Sequence, residues 1–291
     1  MNKMKYQETV RLVNTILSEY TVKLTLRQIY YRLVAGHGLP NKRSSYNGLS
    51  SQLVKARERG HIDETRIEDR TRSFLGGETG FDNPETFIEQ VKEFFLDYWQ
   101  KYDKELWKDQ PEFVMIWVEK DALSRVLSDV ADTYRVITAP SRGYASFTYV
   151  RNAVSKLPTD KNVTVLHFAD HDSSGLDMTR DVQRRLIRYS GRNVTVERVA
   201  LTYEQVQKYD LISNPTKTTD PRSAGYVTQY GSECWELDAI EPRELQRIVL
   251  EAIENHVDLD KWKESKKVME EERESLRETF DRWRDALEDL D

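Results

Sequence analysis

Phe113-Val114-Met115-Ile116-Trp117-Val118-Glu119 is a run of six apolar residues closed by an acid, and fifty-one residues on a second run, Val163 to Ala169, closes on Asp170-His171-Asp172. A stretch apolar at nearly every position and bounded by polar residues reads as a strand buried on both faces of a parallel sheet. A charge is excluded from such a sheet, so each carboxylate marks the carboxyl end of its strand. That edge is where open α/β sheets bind ligands. Glu119, Asp170 and Asp172 gathered there form a set of hard oxygen donors suited to Mg²⁺. The plainer reading is that the acids cap strand ends and face water; the small residues Ser173-Ser174-Gly175 that follow favour a metal site.

The chain has 291 residues, enough for two domains or one large one, with 32% charged and 38% hydrophobic residues. No apolar stretch approaches the roughly 20 residues that span a bilayer, and no signal-peptide segment follows Met1, so an intracellular, cytoplasmic protein without membrane contact is expected. A single cysteine, Cys234, excludes an intrachain disulfide. Net charge is −6, yet Lys23 to Arg72 holds eleven Lys/Arg against five Asp/Glu, so this segment is +6 and the remainder −12. A basic module on an acidic body suits a nucleic-acid partner.

Helical punctuation fills the amino-terminal part. Val10, Leu12, Val13, Ile16 and Leu17 form one stripe. Thr25 caps a second helix through Leu26, Ile29, Tyr30 and Leu33 towards Gly36-His37-Gly38. Ser44 caps a third through Tyr46, Leu49, Leu53 and Val54, ending near Gly60. With the polar stretch His61 to Arg72 behind them, these helices read as a winged helix-turn-helix whose third helix presents Lys55, Arg57 and Arg59 to double-stranded DNA. A basic, solvated helix on a structural bundle is the alternative.

Gly76-Gly77, Gly80 and Asn83-Pro84 mark a boundary, followed by an amphipathic helix with Phe87, Ile88, Val91, Phe94, Phe95, Tyr98 and Trp99, read as core packing. Strands alternating with helices then give an α/β domain with parallel crossovers. Further strands are Arg135 to Thr138 and Val194 to Leu201; helices run from Ala122 to Asp132, Ser146 to Lys156 and Leu176 to Tyr189, and Asn214 to Ser223 is a polar loop. The tail repeats Trp262, Met269, Leu276, Trp283 and Leu290 at seven-residue spacing, with Phe280 and Leu287 in a second row that Arg273 interrupts. A long helix packed on a partner helix follows, in the same chain or another protomer. The expected division is 1–82, 83–110, 111–258 and 259–291.

Val118-Glu119-Lys120-Asp121-Ala122, Ser141-Arg142-Gly143-Tyr144 and Asp170-His171-Asp172-Ser173-Ser174-Gly175 together resemble a Toprim domain, the metal-binding fold of topoisomerases, bacterial primases and certain nucleases. Leu26-Arg27-Gln28-Ile29-Tyr30-Tyr31-Arg32 resembles the tyrosine motif of the topoisomerase VI A subunit and its meiotic double-strand-break relatives. The order, tyrosine module first and Toprim second, is similar too. By position Tyr31 corresponds to the nucleophile, and Arg27, four residues earlier on the same helical face, would favour its phenolate or hold a phosphate. Both tyrosines packing a helical core is the competing reading.

The resemblance implies a homodimer that attacks DNA through Tyr31, leaves a 5′-phosphotyrosyl link, and uses Mg²⁺ at Glu119, Asp170 and Asp172. The short stretch before Tyr31 resembles the "mini-A" form, which argues against an ATPase B-type partner. His171 alternates away from its neighbours and is not assigned as a ligand. Asp177 reads as a helix-start residue. Trp235-Glu236-Leu237-Asp238-Ala239 resembles a family segment that brings an acid to the site. Two other functions compete: a Toprim nuclease hydrolysing DNA without a covalent intermediate, and a DNA-binding module with a vestigial acid cluster.

Overall fold

A computed structural model of the chain describes residues 5–68, 80–216 and 219–288. It falls into two compact units drawn from interleaved stretches: Met1–Arg72 with Phe113–Asn255, and Ser73–Glu112 with His256–Asp291. The helical module and the sheet thus belong to one unit, while the segment after Gly76-Gly77 joins the tail.

In the first unit, α1 (Tyr6–Ser18), α2 (Leu26–His37) and α3 (Arg43–Glu58) bury Leu12, Val13, Ile16, Ile29, Leu33, Leu49 and Leu53 in one core. Thr25 caps α2 as its sequence suggests. Its side chain accepts from Gln28 N–H and Gln28 Oε1 accepts from Thr25 N–H, a complete capping box, and Gly38 closes the helix at φ 67°. Helix α3 begins one residue before the expected cap, with Lys42 rather than Ser44 at its amino end. Leu24–Thr25 pairs in parallel with Ile67–Glu68, within the expected wing of 61–72. Residues 69–72 of that wing, Gly76-Gly77 and Lys217 lie outside the described residues.

The sheet has four strands, β1 (Glu112–Val118), β2 (Ile137–Pro140), β3 (Asn162–Phe168) and β4 (Thr195–Ala200), in the order β2-β1-β3-β4. Val114 to Val118 are wholly buried, which is why these positions carry no charge. Met115, Trp117, Val163 and Val165 share one core with Val150 and Ala153 of α6 (Phe147–Val154) and Val182 and Leu186 of α7 (Ser173–Ser190). Strand alternation turns Val114, Ile116 and Val118 to the opposite face. Helices α5 (Ser124–Ala131) and α10 (Pro242–Glu254) pack on each other, α5 also on β2 and α10 on β4. From β1 the chain runs outward to β2, whereas from β3 it runs the other way to β4. The strand order therefore reverses between β1 and β3, and a crevice opens at their carboxyl ends. Helices α8 (Tyr203–Lys208) and α9 (Ser223–Tyr230) follow β4.

The second unit pairs α4 (Pro84–Leu96) with α11 (Leu259–Glu288), so the partner of the tail helix is found within this chain. Trp107 meets Trp262 edge-on at 5.6 Å between ring centroids, and Phe95 lies against Phe280 and Trp283 at 5.7 and 5.8 Å. Arg273, which breaks the second apolar row, donates to Tyr102 O at 3.0 Å. The aromatic face of α4 departs from its expected role as core: Phe87, Ile88, Val91, Phe94 and Phe95 are 46–62% exposed. Among the described residues, no helix is long and apolar enough to cross a membrane.

One glycine fixes how the sheet edge meets its helix. A Cβ on Gly175, in the first turn of α7, would stand 2.1 Å from Asp170 O. Gly175→Ala gains helix propensity but must push the Asp170 backbone away, so it should cost about 1–3 kcal/mol. Gly225→Ala in α9, where a Cβ meets nothing within 4 Å, should be neutral or stabilising. Urea unfolding of the two variants measures the contrast.

Candidate functional site

Glu119 follows β1 directly and Asp170 follows β3 after Ala169, and the two are brought side by side across the switch point. Glu119 N–H donates to Phe168 O at 2.8 Å, and Glu119 Oε2 accepts from Asp170 N–H at 3.2 Å. Asp172 caps α7, its Oδ1 accepting from Gly175 N–H at 2.7 Å and from the Ser174 hydroxyl at 2.8 Å. The loop after β2 closes over the same edge: Ser141 N–H donates to Val118 O at 2.8 Å and Gly143 N–H to Glu119 O at 3.3 Å.

Burial, and then the neighbouring charge of Asp170, push the Glu119 carboxyl up to about 7. Asp170 is raised as well, by burial first, with Lys120 opposing the rise and Asp238 adding to it. Clustered, desolvated carboxylates of this kind are short of positive charge. The chemistry of the three donors suits a hard divalent cation. Their placement is partly spent on protein groups, however, and among the described residues no three His, Cys, Asp or Glu side chains are gathered to hold a metal ion.

The positive charge comes from Lys120. Its Nζ lies 2.9 Å from Asp170 Oδ1, 3.2 Å from Glu236 Oε2 and 2.6 Å from Asp238 Oδ2. Burial disfavours the ammonium, but the three carboxylates outweigh it and hold the lysine well above its ordinary value. Beneath the acid loop, Arg198 of β4 donates to Ala169 O, Asp170 O, Gly175 O and Leu201 O at 2.6–3.1 Å, pinning both sides of the Asp170 turn.

Glu236 and Asp238 arrive on a short segment held from two sides. Trp235 bridges His171 through paired backbone bonds of 2.8 and 3.0 Å, and Leu237 N–H donates to Asp170 Oδ1 at 2.8 Å. From the other side, α2 reaches over: Arg27 Nη2 pairs with Glu236 Oε1 at 2.6 Å, and Arg32 Nη2 donates to Ala239 O at 2.7 Å. Burial would raise Glu236, but Lys120 and Arg27 keep it below its usual value. The helix with the two tyrosines is thereby tied to the acid edge of the sheet.

The tyrosines part company, as adjacent helical positions must. Tyr30 faces the turn before α3, where its hydroxyl donates to Asn41 Oδ1 at 3.0 Å and accepts from Lys42 N–H at 2.9 Å. Tyr31 faces Asn214, whose Nδ2 donates to its hydroxyl at 3.1 Å. Tyr31 is only 2% exposed, and burial, seconded by Glu236, pushes its phenol up to about 12. Arg27 pulls the other way but is committed to Glu236. The expected push towards phenolate is therefore outweighed, and the phenol is neutral at pH 7.

Other candidates stand apart. His171 lies buried among Tyr203, Tyr226, Tyr230 and Trp235, its Nδ1 2.9 Å from the Tyr226 hydroxyl, and burial lowers it to about 4. Asp177 accepts from Tyr144 at 2.6 Å and pairs with Arg222 at 3.1 Å, outside the acid group. Lys55 and Arg59 are exposed at the end of α3, Arg59 over the Tyr6 ring, while Arg57 is half-buried and donates to Leu53 O. Lys120, Glu236, Asp238 and Arg198 were not among the expected ligands. For two of them the sequence holds signals: the resemblance of the 235–239 segment points to an acid arriving here, and the Glu-x-Asp spacing of 236–238 echoes Asp170-x-Asp172. The sequence matches no known family model and no curated protein.

The raised Glu119 carboxyl sets a pH dependence. The folded chain holds its proton more tightly than the unfolded chain does, so the stability this brings is present below the ordinary value of 4.5 and lost as pH rises through about 7. Glu119→Gln removes that ionisation. It should leave stability near wild type at pH 5 and raise it by about 1–3 kcal/mol at pH 8, measured by urea unfolding at both values.

Proposed function

We propose that this protein is a DNA-cleaving transesterase of the topoisomerase VI A type, acting through Tyr31 at a Toprim-like acid edge. The observation that carries the reading is the ion-paired bridge from Arg27 on α2 through Glu236 and Lys120 to Asp170. It joins the tyrosine helix and the strand-end acids in one compact unit, as the order of the two motifs suggested.

In this reading the Tyr31 hydroxyl attacks a backbone phosphorus as its proton is lost. The bond to the 3′-oxygen breaks, that oxygen takes up a proton, and a 5′-phosphotyrosyl link remains. Phosphodiester energy is kept in the link, so resealing needs no external energy source. Glu119, Asp170 and Asp172 would hold Mg²⁺, which when bound neutralises phosphate charge and steadies the leaving oxygen. Arg27 orients the tyrosine face, and Asn214 holds the hydroxyl until DNA replaces it. A homodimer would supply two such sites for a double-strand break.

One observation favours a second reading. Tyr31 is buried and its phenol neutral. If that state persists on DNA, water is the nucleophile and the protein is a hydrolytic Toprim nuclease. Denaturing gels of DNA incubated with Mg²⁺ separate the two. A covalent protein–DNA adduct is expected from wild type and Tyr30→Phe and should vanish in Tyr31→Phe, which deletes one hydroxyl and leaves the ring. Mg²⁺-dependent cutting without any adduct would establish the nuclease instead.

DNA contact is assigned to the basic end of α3. Neutralising Lys55, Arg57 and Arg59 together should weaken binding and flatten the log–log salt dependence by roughly 2–3, at about 0.9 per lost phosphate contact. Fluorescence anisotropy across a salt series measures it; an unchanged slope would move the DNA surface elsewhere.

A further inference from the structure

Lys120 pairs with three buried or half-buried acids, and its contacts are unequal in kind. Asp170 Oδ1 is shared, since it also accepts from Leu237 N–H at 2.8 Å. Asp238 offers more than is used: its Oδ2 touches Lys120 at 2.6 Å, its side chain is fully buried, and its Oδ1 has no hydrogen-bond partner among the described residues. A buried carboxylate oxygen without a donor is costly and rare. Beside it stands Glu236, whose second oxygen is already held by Arg27. The ammonium therefore has two carboxylates to keep if it releases Asp170, one of them with acceptor capacity in reserve.

The strand-end acids have the opposite need. Glu119 and Asp170 adjoin, and Asp170 cannot turn its full charge to a cation while Lys120 neutralises it. A divalent cation and the ammonium compete for the same oxygen.

We propose that Lys120 is the resident cation of this site in the metal-free protein, and that a divalent cation binds by displacing its ammonium from Asp170 towards Glu236 and Asp238. The inference rests on the metal reading given above and adds to it a built-in competitor. Lys120 is a positioning residue here: it touches neither metal nor DNA, and it holds Asp170, Glu236 and Asp238 together. Its retreat also changes the charge facing Glu236, and through Glu236 the hold on Arg27, so the tyrosine helix feels whether the acid edge is loaded. The apparent metal affinity of wild type is lowered by the fraction of molecules in which Lys120 still holds Asp170.

Calorimetric titration with Mg²⁺ alone, without DNA, tests this on the full chain. Lys120→Met should bind Mg²⁺ at least about tenfold more tightly than wild type, because the competitor is gone. Without metal the same variant should melt roughly 5–10 °C lower, because Asp170 and Asp238 have lost the ammonium and Glu236 keeps only Arg27, and Mg²⁺ should restore more of its melting temperature than it adds to wild type. Should Lys120→Met fail to fold, the double variant Lys120→Met/Asp238→Asn removes one acid with the lysine and carries the same affinity expectation. Equal or weaker Mg²⁺ binding in the variant, with binding by wild type that depends on Glu119, would overturn this inference alone and leave Lys120 a fixed strut. No Mg²⁺ binding by either protein would overturn the metal reading together with it.

Discussion

One buried ammonium among carboxylates holds the centre of this unit. Lys120 is shared by Asp170 after β3 and by Glu236 and Asp238 of the 235–239 segment, two stretches far apart in the chain. Taking three carboxylates out of water costs several kcal/mol apiece unless positive charge and hydrogen bonds go with them. The strand end, the Asp170 turn and the 235–239 segment must therefore arrive together or not at all. Arg27 extends the condition to α2. The coupling gives a physical reason for a helical module that ends at Glu58 and a sheet that begins at Glu112 to form one compact body.

The apolar contribution is of a different kind. Burial of Val114 to Val118 and of the β3 residues drives the sheet together but says nothing about what its edge does. The reversal of strand order between β1 and β3 makes the crevice, and Gly175 lets α7 approach it closely enough for Asp172 to cap that helix at the rim. Arg198 then fixes the turn from below through backbone carbonyls. The site is thus built of backbone geometry first and side-chain charge second. A like arrangement of acids on a looser turn would drift apart under its own repulsion.

The second unit answers to hydrophobic spacing alone. Trp262 and Met269 of the seven-residue series and Phe280 of the second row are buried, while Trp283 at the far end of the series is 45% exposed, and Arg273 breaks the second row because a carbonyl, Tyr102 O, waits there. The outward face of α4 did not follow the same rule. Amphipathic spacing announces an apolar face, but whether anything covers it depends on what lies across from it, which spacing does not encode.

Residues near one another in sequence were legible without coordinates. The cap at Thr25, the two apolar strands leading to Glu119 and Asp170 and the long tail helix follow from local chemistry and period and stand where those rules put them. The helix expected from Leu176 begins instead at Ser173, because Asp172 caps it. The angle between Tyr30 and Tyr31 was legible too, because a helix fixes it. Lys120 as counter-charge, Asp238 as a buried acid and Arg198 as a clamp were decided only by the tertiary structure, for Lys120 and Asp238 lie 118 positions apart and Arg198 and Asp170 lie 28 apart. The same holds for the Tyr31 phenol, which its nearest arginine alone would have acidified. Its ionisation is settled by water lost on packing and by where Arg27 found its carboxylate, and both are properties of the assembled unit.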